Sequence, residues 1–597
     1  MKKCLGFFLV VILGCLFWNN AVAEEGEILY NGIQLPKQWP PVIKGEGKGW
    51  ERQIRPLSYL QAPPAVIPID VGRQLFVDDF LIEKTDLKRE FHQPQKYEGN
   101  PILKAETPIE LHDGKEPMAA MISDGFCYDP KEKQFKLWYE AGWRDGTMLA
   151  TSTDGLHFTR PNLDIEPGTN RILPKKANKM VRHGAGIALD HWTTDPDQRF
   201  KMVCYDENQD GPKKQGLTNA YTSPDGIHWK NLGYMSECGD NTTIFYNPFR
   251  KKWVFSIRED FYGRARFYRE HSDFITGMNW EDSRALKTDS KTWDTSNMMV
   301  FWAHADELDT PDEWVVDTLA RLRADPAVPK VREKDGKPYG LDDVQTQLYN
   351  VEAVAYESLM LGVFGVHRGP ENHICSDLIK LPKTCDLQLA YSRDGFNWDR
   401  PDRNYFLKST RKPGDWEHAY LHAGVGICTV VGDRLYFYYS GWSGVSPKLG
   451  TDWYSGGATG VAFLRRDGFA SMNAKEKEGT LTTRPVTFKG KYLFANVNTP
   501  QGELRAEVLD ENNKVIAPFS MENSVPSTTD KTRLKLGWKG GEDLGSLAGR
   551  KVKFRFQLKN GELYSFWVSP DLSGASYGYV AAGGPGFNGP IDTVGGP

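Results

Sequence analysis

Cysteine is scarce and shows no pairing pattern. The chain has 8 cysteines in 597 residues, and no CxxC occurs, which argues against a zinc ribbon. Cys4 and Cys15 fall in the first 23 residues, leaving Cys127, Cys204, Cys238, Cys375, Cys385 and Cys428. Cys375 and Cys385 are near enough in sequence to staple one loop in an oxidising compartment. The others sit in strand-like contexts, as small buried side chains do. A basic excess is also missing: the formal net charge is −4, so no field for nucleic acid is expected. Beyond the first residues no stretch reaches the roughly 18 apolar residues that span a membrane. No loop carries EF-hand ligand spacing.

Aromatic residues are abundant, at 12% with 18 Trp and 25 Tyr. They suit β-structure or surfaces that stack on sugars. Hydrophobic content of 40% and charged content of 25% are those of a globular chain with ample core. The length corresponds to about four domains at roughly 150 residues each, although large all-β units absorb more. The opening "MKKCLGFFLVVILGCLFWNNAVAEEG" reads as an export leader. Lys2 and Lys3 precede an apolar core from Leu5 to Trp18, and Ala21-Val22-Ala23 forms a cleavage site. The mature chain is expected to begin near Glu24, in the periplasm or outside the cell. A lipoprotein reading through Cys15 is less favoured, because apolar residues continue past it.

A repeat organises the middle of the chain. Ser152-Thr153-Asp154-Gly155-Leu156-His157-Phe158 recurs as Ser223-Pro224-Asp225-Gly226-Ile227-His228-Trp229 and as Ser392-Arg393-Asp394-Gly395-Phe396-Asn397-Trp398. Weaker forms lie at Ser272-Asp273 and Arg466-Asp467-Gly468-Phe469. Asp-Gly is turn chemistry between strands, since glycine accepts positive φ and aspartate caps the turn. Each copy follows two apolar strands, such as "FKLWYEAG", "KWVFSIRED" or "RLYFYYSGW". Four antiparallel strands repeated five times predict an all-β fold, a five-bladed β-propeller.

The propeller is placed at 67–475. Residues 67–114 serve as its lead-in and closing strand, and 281–345 as an insertion on one face. Residues 476–572 alternate with period two and predict a C-terminal β-sandwich. Residues 24–66 read as a linker or strap, and the Gly- and Pro-rich tail 573–597 reads as poorly ordered.

In a propeller the starts of the inner strands and the ends of the second strands open on one funnel. Polar residues recur at both places. Asp124 and Glu352 each lie four residues before a tyrosine, Tyr128 and Tyr356, and Asp240 lies six before Tyr246. His183 and His422 precede the matching strands of the second and fifth blades. The second-strand ends carry Glu140, Trp143 and Arg144; Asp206 and Glu207; Arg258, Glu259 and Asp260; His367 and Arg368; and Trp442. Glu352 stands in apolar company, which raises a carboxyl pKa and keeps it able to donate a proton. A second carboxylate that stays ionised would complete the pair needed for glycoside hydrolysis. Trp143 and Trp442 would stack on sugar faces, and the arginines would bind hydroxyls or a uronate carboxylate.

On these features the chain resembles the five-bladed propeller glycoside hydrolases around families 32 and 43, over roughly residues 70–470. The likeness rests on the Ser-x-Asp-Gly turns, the acid on a late inner strand, and "HQPQKYEGNPIL" with His92, Pro94, Asn100 and Pro101. It implies Glu352 as acid, Asp240 as stabiliser and Asp124 as first-blade base or nucleophile, with Asp78 and Asp79 competing for the last role. The Asn-Asp-Pro-Asn-Gly, Arg-Asp-Pro and Glu-Cys motifs of family 32 are absent, so a divergent family is implied and no sugar is inherited. The expected function is an exported, exo-acting glycoside hydrolase with a carbohydrate as its partner. The alternatives are a non-catalytic carbohydrate-binding propeller, a sialidase-like enzyme or a phosphorylase. Such catalysis needs no cofactor; a structural calcium on the axis near His422 is compatible with the pattern.

Overall fold

The computed structural model describes residues 25–595 apart from 46–47, 175–179, 209–215, 283–294, 329–330, 335–336, 341–344 and 370–382. The leader and Cys375, half of the expected loop staple, lie outside the described residues. Cys127, Cys204, Cys238, Cys385 and Cys428 are buried thiols.

Five inner strands surround one axis: Ala119–Asp129, Met180–Leu189, Thr243–Asn247, Gln347–Glu357 and Tyr420–Val431. The first pairs in parallel with the second at Asp124 and Gly186, and with the fifth at Ser123 and Gly424. A Cβ on Gly186 would stand 3.2 Å from Thr243 Cα, which sets the second strand against the third. Ser256 Oγ of the third blade donates to Val351 O at 3.1 Å, and the fourth inner strand packs on the fifth. The ring is therefore closed, as the five-bladed propeller requires. Outward from each inner strand the blades continue antiparallel, as in Met180–Leu189, Phe200–Asn208, Gly216–Ser223 and Lys230–Tyr234. The outermost strand of blade 5 comes from before blade 1: Gln95–Lys96 pairs with Gly457–Arg465. Asn100 extends that closure by exchanging two hydrogen bonds with the Val461 backbone.

The repeated turn joins blade to blade. Asp154 Oδ1 accepts from the backbone N–H of Leu156 and of His157 at 2.9 Å, and Ser152 Oγ accepts from Gly155 N. The same bonds recur at Ser223/Asp225 and Ser392/Asp394. Gly155, Gly226 and Gly395 hold φ of 77°, 80° and 84°, a region costly for any residue with a Cβ. Each glycine also presses on the preceding blade. Tyr438 OH donates to Gly155 O, and Trp138 Nε1 to Gly226 O, both at 2.9 Å.

The second unit is a β-sandwich around Leu481, Val508, Phe554, Phe556 and Phe566. Its two sheets recruit strands from before the propeller. Ile67–Pro68 and Ile82–Thr85 join one sheet, and Gln74–Leu75 and Lys88–Phe91 join the other, beside Ala470–Ala474. The stretch 67–91, expected to lead into the propeller, thus pairs with the sandwich. The tail also departs from expectation. Tyr579–Val580 pairs with the end of the fourth inner strand, Ala582 bonds to Tyr128 N and Cys428 O, and Val430 N donates to Gly583 O. Composition read this tail as disordered, yet its backbone groups satisfy strand ends at the base of the propeller. A Cβ on Gly584 would lie 1.8 Å from Val430 O, so only glycine permits that approach.

Buried ions tie the units together. Arg466 Nη2 contacts Asp592 at 2.8 Å and Glu357 at 3.0 Å, and Arg73 Nη1 contacts Asp467 at 3.1 Å. These residues come from blade 4, blade 5, the lead-in and the tail. The expected insertion is shorter than 281–345, because Met298–Ala303 is a regular outer strand of blade 3. The helix Glu313–Ala324 that follows is fastened to blade 4 through Arg400–Asp309, Arg403–Asp306 and Arg411–Asp312.

Candidate active site

The N-terminal halves of the inner strands carry the polar residues. Glu352 is buried, and its Oε1 accepts from Asn350 Nδ2 at 2.6 Å; the same amide reaches Ser123 Oγ at 2.8 Å. Burial pushes the Glu352 carboxyl up to about 7, against the opposing pull of Arg266 and of hydrogen bonds from Asn350, Ser123 and Thr243. Arg266 is itself fully buried. It is fixed by donation to Asn241 O at 2.7 Å and to Tyr349 O, which leaves its charge beside both Glu352 and Asp240.

Asp240 precedes the third inner strand, and its side chain keeps 34% exposure, with Arg258 Nε 3.5 Å from Oδ1. Burial would raise its pKa. The cations of Arg258, His183, Arg264 and Lys383 outweigh that effect and hold it below the ordinary aspartate value. Two acids on one funnel therefore have opposite displacements, one poised to donate a proton and one kept ionised.

Asp124 behaves differently. It is fully buried in a bulge opposite Tyr139, its Oδ1 accepts from Ile122 N at 2.8 Å, and Ser123 before it has φ 67°. Burial first, and the Glu140 charge second, raise its pKa well above the ordinary value. Its two competitors lie elsewhere: Asp78 is paired with buried Arg393, and Asp79 with Arg89 in the sandwich strands.

His183 and Trp143 meet as expected. The rings are 4.6 Å apart edge to face, and His183 Nδ1 lies 3.2 Å from Glu140 Oε2. Arg144 pairs with Glu207 at 2.7 Å. Glu259 is half-buried at the end of the Arg258 strand. His422 is buried, with Nδ1 2.9 Å from Ala423 O and 3.3 Å from Ser123 N. Burial drives its pKa down to about 3, so the ring is neutral. No group of three or more His, Cys, Asp or Glu side chains is arranged to hold a metal among the described residues.

Three expected binding residues do not line the funnel. Trp442 is fully buried behind Tyr420, at 4.5 Å between rings. His367 is buried 6.3 Å from the Tyr349 ring. Arg368 donates to Thr310 O at 2.7 Å and lies over Tyr405, where it holds the insertion on blade 4. In their place the structure supplies residues that the repeat did not mark. Tyr454 stacks on Trp143 at 3.7 Å and 15°. Tyr349, Tyr420 and Lys383 lie behind it, with Lys383 Nζ donating to Tyr349 OH at 2.8 Å. Arg264 bonds Gln347 at the strand mouth. These are loop and strand-end residues; the excess of tyrosine was the signal for Tyr349, Tyr420 and Tyr454, and Arg264 is among the arginines that a phosphorylase pocket would use.

No family model matches the chain, and no curated protein does. Among solved structures it is similar to an N-acetylgalactosamine deacetylase from F. plautii in complex with blood group B trisaccharide. That match is 11% identical, covers 64% of this chain and 94% of the other, and has a TM-score of 0.37. It is also similar to a fructofuranosidase from Schwanniomyces occidentalis complexed with fructosylnystose, at 10% identity, 80% and 98% coverage and a TM-score of 0.32. A Bombyx mori family 32 beta-fructofuranosidase matches at 11% identity, 79% and 94% coverage and a TM-score of 0.31. The last is a member of one of the families that the sequence resembles. Likeness of this degree carries no argument about chemistry, and the architecture stands on the strand pairing itself.

Proposed function

We propose that the protein is an exported glycoside hydrolase acting on a poly- or oligosaccharide from the end of the chain. The observation that carries this reading is the opposed pair in one funnel: Glu352, raised to about 7 by burial, and Asp240, held ionised by surrounding cations. Glu352 protonates the leaving glycosidic oxygen, Asp240 opposes the positive charge that develops on the anomeric carbon, and water adds to that carbon and releases a proton as the glycosidic bond breaks. Arg266, between them, restrains the rise of the Glu352 pKa and so sets its working range. The stacked Trp143–Tyr454 pair supplies an aromatic face for a sugar ring. Exo-action is supported by the tail, which crosses the opposite end of the axis and leaves one way in. Export rests on the leader-like first 23 residues.

The test is product release from a panel of plant and algal oligosaccharides by the purified protein and by Glu352→Gln. Release that disappears in a folded variant supports the assignment. Release that survives the substitution overturns Glu352 as acid, and binding without release by either protein favours a carbohydrate-binding module.

A further inference from the structure

Lys383 occupies an unusual position for a lysine. It is 1% exposed, and three tyrosine rings surround its amine, with centroids 4.4 Å (Tyr349), 4.5 Å (Tyr420) and 5.2 Å (Tyr454) from Nζ. Its hydrogen bond goes to a neutral acceptor, the Tyr349 hydroxyl. An ammonium has three protons to donate, and a buried one without a carboxylate partner is costly unless something else supplies the negative charge. A second cation shares the place: Arg264 lies over the same Tyr349 ring at 5.6 Å. Burial first, and Arg264 among its neighbours, lower the lysine pKa, while Asp240 is the nearby carboxylate that acts against this. That same Asp240 already faces Arg258 and His183. Lys383, whose one hydrogen bond is to a hydroxyl, thus stands beside a second cation and beside the Tyr454 ring that stacks on Trp143.

We propose that Lys383, with Arg264 beside it, forms an anion subsite of the funnel that takes the carboxylate or sulfate of an acidic sugar residue. The inference rests on the saccharide-processing reading above and narrows it to uronate- or sulfate-bearing chains. A planar guanidinium and a point-charge ammonium together suit an oxyanion. The tyrosine cage keeps the lysine in one conformation, so little side-chain entropy is lost on binding.

Titration calorimetry of the full chain with galactose, galacturonate, galactose 6-sulfate and inorganic sulfate tests this. The acidic sugars are expected to bind at least about tenfold more tightly than galactose, the size of effect that one charge-assisted contact gives. Comparing galacturonate with the sulfated sugar decides between carboxylate and sulfate. Lys383→Met should abolish the preference, and Lys383→Arg should retain it. Binding of galactose as tight as that of its acidic counterparts overturns the subsite, as does failure of every anionic probe to bind at millimolar concentration. A preference undiminished in Lys383→Met overturns the role of that residue. Anion binding by a protein that cleaves no oligosaccharide leaves the subsite standing and removes only the hydrolase reading.

Discussion

The two ends of the propeller axis are built from the same five strands and have opposite chemistry. At the upper end the strands contribute Asp124, His183, Asn350, Glu352 and His422, with Asp240 just before the third. Toward the lower end the same strands turn apolar, and Phe126, Ile187, Phe245, Ala353 and Val425 line a small cavity of about 70 Å³. The tail covers that cavity with Tyr579, Ala582 and Pro590. A parallel ring places equivalent positions of every strand at one height, so a change of residue type part-way along each strand produces a polar funnel above an apolar plug. The plug keeps water from the lower side of Glu352, and exclusion of water is what raises its pKa. The upper end accordingly holds the shifted acids and cations, and the lower end holds the packing.

Substitutions can break this contrast. The largest effect is expected from Asp240→Asn, which removes the ionised member of the pair. Turnover should fall about 10²- to 10⁴-fold, the range for a positioned acid or base group, with an unchanged melting temperature; a rate within a few-fold of wild type would dissociate Asp240 from the chemistry. Next is Asp592→Ala in the tail, which strips one partner from buried Arg466. Breaking a buried pair in this way costs about 3 kcal/mol or more. Denaturant unfolding should show the loss while kcat per folded molecule is preserved; equal loss of both would mean that the two ends are not separable. Gly226→Ala follows, at about 2 kcal/mol, because its Cβ would stand 2.5 Å from Trp138 in a left-handed backbone. The smallest effect is that of Asp225→Ala, about 1 kcal/mol, for the two backbone N–H groups it accepts from in the same turn. If Asp225→Ala cost more than Gly226→Ala, capping rather than blade contact would be the main work of that turn.

The blades were legible because their signal is local. Seven residues encode the Asp-capped turn, and the same hydrogen bonds appear at all three strong copies. Glu352 was legible for a related reason, since an acid midway along an apolar strand run can only point at the axis or at a neighbouring blade. Long-range pairing was not legible. Nothing within residues 67–91 indicates that these short strands join sheets formed some 400 residues later, and their position before blade 1 suggested the wrong partner. Glycine and proline content made the tail look unstructured, but glycine there permits approaches such as Gly584 on Val430. Trp442 and His367 illustrate a limit of strand register. Matching strand ends identifies the height of a side chain on the blade, not whether Tyr420 or Tyr349 stands in front of it.

The account turns on Glu352 being protonated near neutrality. Its folded pKa of about 7 lies above the ordinary 4.5, so the stability it contributes is complete below about 4.5 and is lost as pH rises through 7. Glu352→Gln should therefore gain on wild type by up to about 3 kcal/mol at pH 8. The most direct measurement is infrared difference spectroscopy of wild type against Glu352→Gln across that pH range. The account predicts a protonated-carboxyl band that disappears with a midpoint near 7 and is missing from the variant. A Glu352 signal that titrates in the ordinary carboxylate range, or none that distinguishes the two proteins, would contradict it.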